Sequence, residues 1–92
     1  MTVYVDNIVQ WPARLRCFRQ GSCHLAADTL EELHTFARRL GLRRSWFQDH
    51  PVLAHYDLTP GRRARAVALG AVETDGKSLV RLLRRRPPPH PP

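Results

Sequence analysis

The chain holds only two cysteines, one methionine, one lysine and five glycines in 92 residues. Cys17 and Cys23 have no second cysteine pair beside them, which excludes the C-x-x-C framework of a zinc ribbon. No run approaches the ~20 apolar residues that a membrane helix needs, so no membrane association is expected. The opening MTVYVDN has no basic stretch followed by an apolar one, so no signal peptide is expected. The expected compartment is the cytoplasm, where both thiols stay reduced. There is no P-loop, no G-x-G-x-x-G, no G-x-S-x-G and no H-E-x-x-H, which removes the commonest readable signatures of nucleotide, hydrolase and zinc-protease sites.

What remains is an ordinary globular composition, 42% hydrophobic and 25% charged, which excludes a wholly disordered or collagen-like chain. The length suits one domain with one small core. The expected division is a compact domain over residues 1–86 and a proline-rich tail over 87–92. The net charge is +7. Without Arg81, Arg84, Arg85 and Arg86, 11 cations face 8 acids and the charge is +3. The body is therefore mildly basic, enough to permit attraction to phosphate without demanding it. All but one of the 15 cations are arginine, which suits bidentate phosphate contacts but also accumulates in GC-rich coding sequence.

Thr2 to Val5 is β-branched and aromatic and reads as a strand. Ile8 to Arg19, with Trp11-Pro12, reads as a surface loop. Cys23 to Ala27 reads as a second, buried strand. Thr29 with Glu32 forms a capping box, so a helix starts there. Leu30, Leu33, Ala37 and Leu40 share one face of it, with Phe36 beside them, and Gly41 stops it. Ser45-Trp46-Phe47 is a short strand or a single turn. Pro51 breaks the chain after His50. Leu53 to Asp57 is extended. Thr59 and Pro60 supply the N-cap and first position of a helix running to about Leu69, with Ala64, Val67 and Ala68 inward. Ala71 to Glu73 is a very short strand. Lys77 to Arg85 is a third helix, packing through Leu79, Leu82 and Leu83.

Helices alternating with buried strands predict an α/β layered domain. The expected sheet is mixed or partly parallel, with three to four short strands and about three helices. Pro87 to Pro92 should form a polyproline II tail, either a ligand for a protein partner or an uninformative end.

Polar clusters stand where the predicted elements end. Asp6 directly follows the first strand, where open α/β sheets place ligands; a turn cap with Asn7 is the alternative. Cys23-His24 and Asp28 flank the second strand. His24 and Asp28 either converge at the helix N-terminus or serve as a satisfied histidine and a cap. Cys23 and His24 face opposite sides of a strand, which argues against a reactive couple. His55 and Asp57 point to the same side of an extended segment. Two histidines and several carboxylates suit a divalent metal or proton transfer on a phosphate ester. The candidate metal ligands are Asp6, His24, His55 and Asp57. The candidate catalytic set is His24, Asp28, His55 and Asp57.

Arg62 and Arg63 open a helix where cations oppose its dipole, with Arg65 close behind. A bound phosphate would favour them there, and so would a salt bridge to Asp57 or Asp49. Trp11, Trp46 and Phe47 either stack on bases or fill the core, and a core this small favours the second reading.

The order of motifs resembles a known family. Y-V-D near the start is followed by W-P at Trp11-Pro12, H-L-x-x-D at His24 to Asp28 and E-E-L-H-x-F-A-x-x-L-G at Glu31 to Gly41. H-Y-D-L follows at His55 to Leu58, then R-x-x-A-V-x-x-G-A at Arg63 to Ala71 and S-L-V-R-L-L at Ser78 to Leu83. The series resembles the small bacterial and phage proteins of domain-of-unknown-function family 4031, over roughly residues 1–84. It departs at residues 13–23, where the family often has a shorter G-R-x-W-S-H step. The resemblance implies a compact single domain and brings no reaction. It sets Asp6, Trp11, His24, Asp28, His55, Tyr56, Asp57 and Arg63 in motif positions, which favours one shared polar site.

Two functions follow as expectations. One is a phosphate-directed domain that binds nucleotide or nucleic acid, with a divalent metal assisting phosphoester hydrolysis and Arg62, Arg63 and Arg65 neutralising phosphate. The other is a non-catalytic protein-interaction module whose His and Asp residues form a structural polar network.

Overall fold

The computed structural model describes residues 2–10 and 21–85. The expectations for Trp11-Pro12, Cys17, Arg86 and the tail at 87–92 lie outside the described residues. Strands β1 (Val3–Val5), β2 (Cys23–Ala27), β3 (Tyr56–Leu58) and β4 (Val72–Glu73) form one sheet in the order β3-β2-β1-β4. Helices α1 (Leu30–Arg39), α2 (Pro60–Ala68) and α3 (Gly76–Arg84) complete the fold. Ser45 and Trp46 belong to a single 3-10 turn, Arg44–Trp46. No helix among the described residues is long and apolar enough to cross a membrane.

The sheet is mixed, as predicted. β1 and β2 are antiparallel, with Val5 opposite Leu25. β2 and β3 are also antiparallel, with His24 opposite Asp57. β1 and β4 run parallel. The β1–β2 ladder continues as a bridge between Val9 and Ser22. Gly21 allows it: its φ is +88°, and a Cβ there would stand 2.7 Å from the Val9 carbonyl oxygen.

β2 is central and buried on both faces, so it shows little alternation. On one face Val5, Leu25, Tyr56 and Leu58 meet Leu33, Phe36 and Ala37 of α1 and Ala66 of α2. On the other face Ala26 meets Leu79 and Leu83 of α3, with Tyr4 and Leu53 packed against them. The sheet is thus a filling between two helical layers.

The helix signals hold in detail. Thr29 Oγ1 accepts from Glu32 N, and Thr59 Oγ1 accepts from Arg62 N. α3 opens at Gly76, one residue before the expected Lys77, because Asp75, not named as a cap from sequence, accepts from Ser78 N at 2.8 Å. Gly41, at φ +78°, ends α1 in the left-handed conformation.

Three packing expectations are corrected. α2 buries Ala66, while Ala64 and Ala68 are exposed and Val67 is half-buried, because the strands meet this short helix along a narrow stripe. α3 buries Leu79 and Leu83 but leaves Leu82 40% exposed, because a lone helix on that face contacts the sheet along one line. Trp46 does not fill the core; it is 44% exposed, lying under the guanidinium groups of Arg43 and Arg62.

Leu33 is fully buried between α1 and the sheet. Leu33→Ala should cost on the order of 2–5 kcal/mol, measured as a shift in a chemical-denaturation curve.

Candidate metal centre

β1 and β2 are antiparallel, so the aspartates that follow them lie at opposite ends of the sheet. Asp6 comes beside the start of β2, and its carboxylate meets His24. Asp6 Oδ2 lies 2.7 Å from His24 Nδ1, and Asp6 Oδ1 accepts from His24 N at 2.6 Å. Asp6 itself is 4% exposed.

Asp28 goes the other way. Its Oδ2 accepts from Thr2 N at 2.9 Å and its Oδ1 from the Tyr4 hydroxyl at 3.0 Å. Four residues of strand separate it from His24, about 13 Å at the usual rise. The expectation that Asp28 shares a site with His24 is therefore corrected: it ties the start of β1 to the end of β2.

His55 and Asp57 reach His24 across the second ladder. The His24–Asp57 pairing sets both side chains on the α3 face of the sheet. The His24 and His55 rings meet edge-on at 4.6 Å between centroids. His55 Nε2 lies 3.5 Å from Asp57 Oδ1. His24, His55 and Asp57 each offer a ligand atom within 4.8 Å of the others. Asp6 is not in that group. Asp6, expected as a ligand, instead has both carboxylate oxygens engaged by His24.

Two supporting groups were not found from sequence. Gln48 Nε2 donates to Asp57 Oδ2. The Leu53 carbonyl lies 2.7 Å from His55 Nδ1. Both arise because the chain turns back between Gln48 and His55, whose backbones pair. His50 builds the turn: its Nδ1 accepts from Val52 N at 3.1 Å and Leu53 N at 3.0 Å. The break at Asp49-His50-Pro51 between two extended segments was the available signal for a hairpin.

Burial works against charge on the His55 ring. The hydrogen bonds to Asp57 and the Leu53 carbonyl, with the charges of Asp57 and Asp6, outweigh it and raise its pKa above the ordinary value. The contact with His55, ahead of the opposing effect of burial, holds Asp57 below the usual carboxylate range. Cys23 faces the opposite side and is 2% exposed. Burial, then the Asp6 charge, pushes its thiol up to about 12, so it is inert as a nucleophile.

The arginine expectations divide. Arg63 Nε donates to the Asp6 carbonyl at 2.8 Å and its Nη1 to Glu73 at 2.9 Å. Its acidic partner is thus Glu73, not Asp57 or Asp49. It clamps the ends of β1 and β4 together, which explains a cation in the first turn of α2. Arg62 lies over the Trp46 ring, and Arg65 is exposed on α2. The three do not converge on the His/Asp cluster.

α3 begins beside the cluster. A Cβ on Gly76 would stand 3.8 Å from Asp6 Oδ2. From Gly76 a cavity of about 550 Å³ runs along α3, lined by Lys77, Arg81, Arg84 and Arg85.

Fold and site together define a small three-layer α/β domain with a His/Asp cluster at one end of a mixed sheet. The chain belongs to the family described as protein of unknown function DUF4031, whose model matches residues 3–86. No curated protein and no solved structure matches it.

The His55–Asp57 contact fixes a pH signature for the metal-free protein. A raised His55 pKa adds stability that is fully present below the unfolded value of 6.5 and lost as pH rises through the folded value. A lowered Asp57 pKa adds stability present above 3.8 and lost as pH falls through the folded value. The stability difference between wild type and His55→Gln should therefore peak between these two pH values and shrink on either side. Urea denaturation across a pH series measures it.

Arg63→Ala should cost about 1–3 kcal/mol by releasing the Asp6 carbonyl. The contact with Glu73, which is 59% exposed, adds little to that. Arg65→Ala, made as a control, should stay within about 0.5 kcal/mol of wild type in the same urea assay.

Proposed function

We propose that the protein is a metal-binding domain that acts on a phosphate-containing ligand, nucleotide or nucleic acid, with hydrolysis of a phosphoester as its reaction. One observation carries the reading. Both histidines engage Nδ1 with an oxygen, His24 with Asp6 and His55 with the Leu53 carbonyl. Metal-binding histidines are held in this way, with the other nitrogen left for the ion.

His24, His55 and Asp57 are the ligands. Two nitrogens and one oxygen suit zinc, manganese or iron. The 3.5 Å between His55 Nε2 and Asp57 Oδ1 matches two ligands of one ion. Two zinc ligands at about 2.1 Å in a tetrahedron stand about 3.4 Å apart. A proton on His55 Nε2 must leave before an ion binds there, so affinity rises with pH. Three protein ligands leave positions open for water and substrate, and His24 is the most exposed of them, its side chain 32% accessible. A bound ion would lower the pKa of its water and polarise a phosphoryl oxygen.

The phosphate part of the reading moves from Arg62, Arg63 and Arg65 to α3. Lys77, Arg81, Arg84 and Arg85 form a basic groove that leads to the helix N-terminus beside Asp6. A phosphate chain lying there would meet cations first and the metal at the end.

A structural network is the second reading, supported by the burial of Asp6 and its double engagement with His24. Thermal unfolding with zinc or manganese separates the two. Metal at a hundredfold excess over Kd should stabilise wild type by about 2.7 kcal/mol. Asp57→Asn and His55→Ala should lose most of this. In parallel, Lys77→Gln with Arg81→Gln should lower the salt slope of DNA or RNA binding by about 2 in fluorescence anisotropy. Metal stabilisation that is absent in wild type, or undiminished in both ligand variants, leaves the network reading in place.

A further inference from the structure

Tyr56 stands between His55 and Asp57 on β3, so its side chain points to the other face of the sheet. There it is 1% exposed and enters a different constellation. Its hydroxyl lies 2.9 Å from His34 Nδ1 on α1. His34 also meets the Phe47 ring edge-on at 4.6 Å. Tyr56 and His34 line a cavity of about 610 Å³ together with Glu31, Thr35, Arg38, Leu42 and Arg44. That volume lies in the range of small-molecule sites.

The cavity carries two cations against the single carboxylate of Glu31. Arg38 and Arg44 make no ion pair among the described residues. The Arg44 guanidinium is held over the Phe47 ring, 4.9 Å from its centroid, which limits its wandering. Burial, then the charges of Arg44 and Arg38, lowers the His34 pKa, so the ring is neutral at pH 7. Burial raises the Tyr56 pKa against the opposing effect of the same arginines, so the phenol stays protonated. In the tautomer that accepts the phenol's proton at Nδ1, His34 carries its own proton on Nε2. Two guanidinium groups and the Thr35 hydroxyl are donors on this cavity, beside the His34 ring. Glu31 supplies the one acceptor charge, suited to hydroxyl or amino groups on the rest of a ligand.

The geometry points to a second ligand site, distinct from the His24 cluster, that takes a small phosphomonoester: the phosphate on Arg38 and Arg44, with a hydroxyl- or amino-bearing body toward Glu31. A phosphomonoester dianion matches two guanidinium groups on one cavity wall, since each can bind phosphate oxygens bidentately. The inference does not rest on the metal reading, because no residue of the cavity belongs to the His24, His55 and Asp57 group.

The test is a calorimetric and NMR titration of the full chain with AMP, adenosine and inorganic phosphate, in excess chelator so that the metal cluster is empty. AMP should bind and shift the His34 ring resonances, phosphate should bind more weakly, and adenosine should be weakest. Arg44→Gln and Arg38→Gln should each weaken AMP binding by about tenfold or more. Arg65→Gln removes the same charge from exposed α2, outside the cavity, and should change affinity less than about twofold. Heteronuclear spectra would establish that each variant stays folded. Three results would overturn the site: no perturbation of His34 by AMP, equal losses in Arg65→Gln and Arg44→Gln, or adenosine binding as well as AMP.

Discussion

The register of β2 between its two antiparallel neighbours governs everything else in this molecule. His24 lies opposite Asp57 on one side, and on the other its carbonyl pairs with the Asp6 amide. A shift of one residue would turn His24 toward α1 and bring Leu25 to the open end of the sheet. Such a shift would lose both the core and the cluster, because Leu25 is fully buried and His24 is not. Packing and chemistry therefore select the same pairing. Gly21 protects it from beyond the strand, since only a residue without Cβ fits against Val9 there.

Asp6 shows how a buried charge is accommodated in so small a domain. A carboxylate taken out of water is costly unless nearby donors replace its hydration. The backbone and ring of His24 supply two such donors, and Arg63 holds the Asp6 carbonyl from α2. The same contacts fix the His24 ring in one orientation. Stability and site geometry here depend on one set of bonds, so a substitution at Asp6 would disturb both.

β3 is an edge strand with different chemistry on its two faces. His55 and Asp57 turn to the α3 side, and Tyr56 turns to α1. Each face ends in a polar constellation, one carboxylate-rich and one arginine-rich. The alternation of a strand brings this about: adjacent residues in an H-Y-D sequence can serve two sites without competing for space. Edge position matters as well, because a central strand would have both faces covered, as β2 does over most of its length.

The sequence by itself determined the elements and their type. Caps at Thr29 and Thr59, the stop at Gly41 and the apolar face of α1 are local signals, and local physics placed them correctly. It also put His55 and Asp57 on one face, by spacing alone, and named His24 beside them among candidates that included Asp6 and Asp28. What only the tertiary structure decided was strand direction and partner. Two aspartates, each closing a strand, look alike in sequence, yet antiparallel pairing sends Asp6 to His24 and Asp28 to the opposite end. Arg63 looked like a phosphate ligand, until α2 docked it on the Asp6 carbonyl and Glu73. Gln48 and the Leu53 carbonyl enter through a turn whose closure depends on β3 joining the sheet. Capping and periodicity act over a few residues and are written in the chain, whereas ladder partners and cross-sheet contacts depend on which surfaces meet once the core has closed.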